Sequence, residues 1–209
     1  MRKQPKQARS RKAVNELIDA TAQVIAQRGL AQTTTNHIAD RAGVSVGSLY
    51  QYFHDKDDLI EALLERLTGE IASALDDTLA QVGDADVQSV VQALLRTALA
   101  ATNNQENLYL ELARNWNQLH TLTVINMLEE HMMEACRRYI LRHHGELKVD
   151  NLPAMLFVVI NSTLFTVMRH QSLANPPIST QELIDALSTM IATYAERPAL
   201  SRTDRGQKN

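Results

Sequence analysis

A single cysteine, Cys136, rules out an intrachain disulfide, and the expected setting is a reducing cytoplasm. Beside Met132 and Met133 it reads as a small buried hydrophobe, not as a metal or redox centre. Glycine and proline are also scarce, 7 and 5 in 209 residues, which leaves little material for turns and points to long helices. The strand-then-helix alternation of an α/β enzyme is missing. The basic N-terminus is not followed by an apolar core segment, so no secretion signal is read. The most apolar stretch, 152–168, contains Pro153, Asn161, Ser162, Thr163 and Thr166, whereas a membrane span needs about 20 predominantly apolar residues. It is expected to be a helix buried on nearly all sides, with no membrane partner. His143 and His144 are neighbours at a helix end and do not share a face, so no metal is expected, and no cofactor either.

Charge is unevenly divided. Residues 1–54 hold eight Lys/Arg against three acids, a net of +5, while the other 155 hold thirteen against twenty-one, a net of −8. Positive charge gathered at one end suits a polyanion, and an acidic remainder opposes wholesale wrapping on nucleic acid. Arg2, Lys3, Lys6, Arg9, Arg11 and Lys12 form a basic arm without an acid among the first twelve positions. It is either a solubilising tail or an arm for phosphates and the minor groove.

Residues 33–53 carry the strongest local signal. Thr35 can cap a helix running through Ile38, Ala39 and Ala42, and Gly43 stands where that helix must stop. Ser45 can cap a second helix that buries Val46, Leu49 and Phe53. Two short helices joined through a glycine make a helix-turn-helix, whose second helix enters the major groove. Gly47 sharpens the reading, because glycine inside a helix costs about 1 kcal/mol against alanine and needs a reason. That reason is close helix packing or close approach to DNA, and the hydroxyl and amide groups around it favour DNA. Thr35, Tyr50, Tyr52 and Lys56 are the candidates for phosphate contacts, and Ser45, Val46, Ser48 and Gln51 for base edges. Val46 offers at most a contact to a thymine methyl.

The same segment spells Gly43-Val-Ser-Val-Gly47, the pattern of a serine-hydrolase nucleophile elbow. That elbow needs a strand before it and acid and histidine partners after it. Helical spacing precedes it here, so no catalytic residues and no enzyme are expected.

Thr33 to Thr35, Ile38-Ala39, Ala42 to Ser45, Gly47 to Tyr50, Tyr52-Phe53, Lys56 and Leu59 resemble the signature of the TetR family of transcriptional regulators, over about the first 60 residues. The resemblance implies a homodimer on a palindromic operator, usually repressing, released when a small ligand enters a C-terminal domain. It also implies that the two last helices, about 151–173 and 179–196, pair with their symmetry mates in a four-helix bundle. Relatives often carry a polar residue where Val46 stands, which leaves this chain with fewer direct base contacts.

Downstream, Asp55 can cap a long helix through Leu59, Leu67, Leu75 and Val82 to Gly83, the mechanical link between reader and body. Four or five helices follow, the last capped by Ser179 with Glu182 at the capping-box position. The expectation is an all-α chain of about nine helices. Residues 1–54 hold the basic arm and three-helix reader (motif 33–53), 55–198 an effector-binding and dimerisation domain, and 199–209 a disordered tail. An effector pocket is expected around Tyr109, Leu112, Trp116, His120, Leu122, Met127 and Phe165, a wall suited to a hydrophobic or amphipathic molecule. The alternative is a sequence-independent architectural DNA-binding protein.

Overall fold

The computed structural model describes residues 8–103, 106–115, 121–143 and 151–195. Among them stand nine α-helices and no strand: α1 Ala8–Arg28, α2 Thr35–Ala42, α3 Val46–Leu49, α4 Lys56–Val82, α5 Val87–Asn103, α6 Glu106–Arg114, α7 Thr121–His143, α8 Leu152–Ser172 and α9 Thr180–Ala195. Arg2, Lys3 and Lys6 of the arm, the Asn104-Gln105 break, Trp116, His120, His144 and the 199–209 tail lie outside the described residues.

Local chemistry sets most boundaries. Gly43 adopts φ 67°, a left-handed conformation that a Cβ disfavours, and ends α2 in a Schellman turn. Its N–H donates to the Asp40 carbonyl at 3.2 Å and the Val44 N–H to that of Ala39 at 3.0 Å. Asp55 caps α4 by accepting the Asp58 N–H at 2.9 Å, while the Asp58 carboxylate accepts the His54 N–H at 2.9 Å. Ser179 and Glu182 close a capping box at α9: the Ser179 N–H reaches the carboxylate at 2.8 Å and the Glu182 N–H reaches the serine hydroxyl at 3.2 Å. One cap differs from expectation. Thr34, not Thr35, caps α2, accepting the His37 N–H at 3.3 Å from an extended backbone. Thr35 is the first helical residue, which frees its hydroxyl for another use.

The 27 residues of α4 span about 40 Å at 1.5 Å per residue and join two differently packed bodies. Its first half, Leu59, Ile60, Leu63 and Leu67, completes one continuous core with α1, α2 and α3. Leu108 and Leu112 of α6 enter that same core, so the packing of the reader extends past residue 54 and recruits a later helix. The second half of α4 divides its leucines, Leu75 into one of the separate clusters of the C-terminal body and Leu79 into another.

The second difference concerns α8. It is not buried on nearly all sides: Met155, Leu156 and Ile160 face inward, while Phe157, Val158 and Phe165 are 54%, 54% and 55% exposed. Length and composition alone would let α8 cross a membrane, with a mean hydropathy of 1.5 in its most apolar window. It packs instead against α6, α7 and α9, and Asn161, Ser162 and Thr166 satisfy their polar groups on carbonyls of their own helix.

Candidate nucleic-acid interface and internal cavity

The reading face is built from a fully buried back and a polar front. Leu49 and Phe53 have 0% exposure and anchor α3 on the core, whereas Ser45, Gly47, Tyr50 and Gln51 face solvent. Ser45 caps α3 by accepting the Ser48 N–H at 3.1 Å, and its hydroxyl lies 2.8 Å from that of Ser48. A Cβ built on Gly47 would meet only the Ser45 hydroxyl, at 3.9 Å. Packing inside the chain therefore gives no reason for glycine here, and close approach from outside does. Val46 is half-buried against the core with Tyr52, which limits what either can offer a base.

The first residue of α2 meets the end of α3 across the turn: the Thr35 and Tyr50 hydroxyls lie 3.2 Å apart. This bond links the two helices and sets two hydroxyls side by side, a geometry suited to one phosphate oxygen. Lys56 stands half-buried at the start of α4. Seen together, Ser45, Val46, Gly47, Ser48, Tyr50, Gln51, Tyr52, Thr35 and Lys56 all lie on or beside the two-helix unit. The Gly43-Val-Ser-Val-Gly47 stretch follows helix α2 instead of the strand that a nucleophile elbow needs, and the Ser45 hydroxyl is occupied as a helix cap.

Sequence reasoning missed one contact that ties the reader to the body and one that braces α1 against the first half of α4 within the reader. The Glu111 carboxylate of α6 accepts the Leu30 N–H at 2.8 Å, just past the end of α1, and the Asn115 amide at 3.0 Å. Gly29, at φ 79°, leaves room for it, since a Cβ there would stand 3.0 Å from the carboxylate oxygen. Arg66 of α4 meets Asp19 of α1 at 2.7 Å and Glu70 at 3.8 Å. The only sequence signal for Glu111 is an acid beside Leu112 on a short amphipathic helix.

A cavity of about 190 Å³ opens between α4, α5, α7, α8 and α9. Leu75, Leu94, Ala98, Met132, Ile160 and Thr163 are among the residues that line it. Of the seven residues proposed for an effector pocket, the four with described side chains, Tyr109, Leu112, Met127 and Phe165, do not line it. Tyr109 and Leu112 pack with the reader core, and burial pushes the Tyr109 phenol up, with a smaller push from Glu70. Met127 and Phe165 are 40% and 55% exposed. Trp116, His120 and the side chain of Leu122 lie outside the described residues. Cys136 is on the cavity wall, and desolvation raises its thiol to about 11, so it stays neutral and unreactive at ordinary pH.

A helix-turn-helix is thus mounted on an all-helical body. The family model for bacterial regulatory proteins of the tetR family matches residues 17–63. The HTH-type transcriptional regulator BetI of Klebsiella pneumoniae is 36% identical over 80 residues, which are 38% of this chain and 41% of that protein. The match thus spans about two fifths of this curated relative's length. Two solved structures share the fold. A protein of Mesorhizobium loti assigned to the TetR-family regulators has a TM-score of 0.69 at 16% identity, covering 90% of this chain and 98% of its own. The fatty acid degradation regulator FadR of Bacillus halodurans has a TM-score of 0.67 at 18% identity, covering 90% of this chain and 97% of its own. Residues 17–63 are thus similar to the N-terminal domain of tetR-family regulators, and the fold resembles that of a solved TetR-family structure.

Proposed function

We propose that the chain acts in the bacterial cytoplasm as a homodimer that binds a palindromic operator, represses from it, and is released by a small hydrophobic or amphipathic molecule. The observation that carries the DNA-binding half is the open, glycine-bearing face of α3 backed by the fully buried Leu49 and Phe53. In this reading Thr35, Tyr50, Tyr52 and Lys56 hold phosphates, and Ser45, Val46, Ser48 and Gln51 face base edges, with Gly47 allowing close approach.

Dimerisation is supported by apolar surface left uncovered on the two last helices. Phe157, Val158 and Phe165 on α8, and Met190 (50%) and Tyr194 (46%) on α9, are too many large apolar groups for a lone chain to leave in water. One reader spans only a few base pairs, and a dyad doubles the address. Release is supported by the build of α4 and α6. The second half of α4 lines the cavity with Ile71, Leu75 and Leu79, and its first half sits in the reader core. A ligand that shifts the far half moves the near half, and α6 couples through Leu108, Leu112 and the Glu111–Leu30 bond.

The test is a DNase footprint on the DNA upstream of the chain's own gene, paired with the mass of the complex. Two protected half-sites about 34 Å apart or a multiple of that, with an even number of chains bound, are expected. A single unsymmetrical footprint from one chain contradicts the proposal.

A further inference from the structure

The effector reading names a place but not a chemistry; resting on that reading, the walls of the cavity supply one. We propose that the cavity takes an uncharged hydrocarbon of about six to ten carbons, aliphatic or aromatic, and rejects molecules that must bury a polar or charged group there. The size follows by comparison, since a dry 150 Å³ cavity lined by apolar side chains holds benzene and this one measures about 190 Å³.

The chemistry follows from what each polar side chain on the wall does. Among the described residues no Asp, Glu, Lys, Arg or His lines the cavity, so none of them stands ready to neutralise a carboxylate or an ammonium. Tyr139 spends its hydroxyl outside the cavity, donating to the Gly83 carbonyl at 2.6 Å. Cys136 holds its proton, as the desolvation of its thiol requires. That leaves Thr163. Its hydroxyl oxygen is sealed from solvent and has no hydrogen-bond partner. Other helical threonines behave differently: Thr21, Thr68, Thr78, Thr166 and Thr193 each donate to the carbonyl four residues back, at 2.6 to 2.9 Å. Ser162, its neighbour, takes the Val159 carbonyl at 3.1 Å, the group that Thr163 would ordinarily use. The Thr163 oxygen is thus withdrawn beneath the surface. The cavity presents carbon and sulfur, and a ligand's oxygen or charge would lose its water without finding a replacement.

The experiment uses the full-length protein without DNA and three probes of similar size: ethylbenzene, benzyl alcohol and benzoate. Calorimetry should detect ethylbenzene binding, benzyl alcohol about 10- to 100-fold weaker, and no benzoate binding at matched concentrations. Ala98→Phe fills the cavity and should abolish ethylbenzene binding, while its unchanged helical circular dichroism shows that it folds. Thr163→Val, nearly the same shape, should leave ethylbenzene binding equal or tighter. Benzyl alcohol or benzoate binding as tightly as ethylbenzene overturns the proposal, as does the absence of any ethylbenzene binding. So does ethylbenzene binding that survives Ala98→Phe or weakens in Thr163→Val. Operator release is a separate measurement. If ethylbenzene binds as described but leaves the DNA complex intact, the effector part of the proposed function fails and the cavity's chemistry stands.

Discussion

The reader and the body are both helical, yet they are finished to different degrees. In the reader, Ile25, Ile38, Ala39, Leu49, Phe53, Leu59 and Leu63 all have 0% exposure within one continuous core. In the body, the buried residues fall into separate clusters around a cavity, and large apolar groups remain uncovered on α8 and α9. The difference matches the two tasks. A reader must present one fixed surface to a rigid duplex, so its core is closed. A body that is proposed to take a second copy and a ligand must leave apolar surface for each of them.

The comparison can be broken at its strongest point first. Replacing Phe157 and Phe165 together by glutamate places charge in the proposed dimer face and should yield monomers. Loss of the second half-site should then weaken operator binding about a thousandfold or more, and a variant that still sediments as a dimer would remove α8 from the interface. Phe53→Ala attacks the closed core. It should cost about 3 to 5 kcal/mol of stability in denaturant titration, and a loss below about 1 kcal/mol would mean that the reader is no better packed than the body. Gly47→Ala separates folding from function. It should leave stability unchanged or raise it by up to about 1 kcal/mol. It should weaken operator binding about tenfold, the scale of one lost base-pair contact, and unaltered binding would remove close approach as the reason for the glycine.

Lys56→Ala should act more gently, weakening all duplexes alike and flattening the salt dependence of log K by about 0.9. An unchanged slope would take Lys56 off the phosphate list. The smallest effect concerns acid. The His54 N–H bonded to its carboxylate holds Asp58 below the usual carboxylate range. A depressed pKa contributes stability that is present above the unfolded value of about 3.9 and is lost as pH falls through the folded value. Amide exchange at the start of α4 should therefore speed up below about pH 4, and Asp58→Asn should remove that response.

The two regions were also unequally legible. Caps and stops are local chemistry, so Ser45, Asp55, Ser179, Gly43 and Gly83 could be read directly and the structure places each at its helix end. The one slip, Thr35 for Thr34, came from three consecutive threonines any of which has the right oxygen; only the backbone angles choose among them. The body resisted for a physical reason. Helical spacing marks a residue as apolar and facing something, but not whether that something is its own core, a partner or empty space. Phe157 lies in the segment expected to be buried and Phe165 was expected in a pocket wall, yet both are exposed, while the cavity is lined by residues such as Leu94 and Ala98. Aromatic content drew attention to Trp116 and Tyr109, but among the described residues the cavity is walled by aliphatic side chains, sulfur, one threonine and one tyrosine. Glu111 was unreadable because its partner is a backbone N–H 81 positions away.

The central claim is that α3 reads a particular DNA sequence instead of gripping any duplex. The direct measurement is competition: the full-length protein bound to its own upstream DNA, challenged with that DNA or with bulk duplex at physiological salt. The account predicts that bulk DNA competes at least about a thousandfold less well, the lower bound for specific recognition. Equal competition by the two DNAs would contradict it.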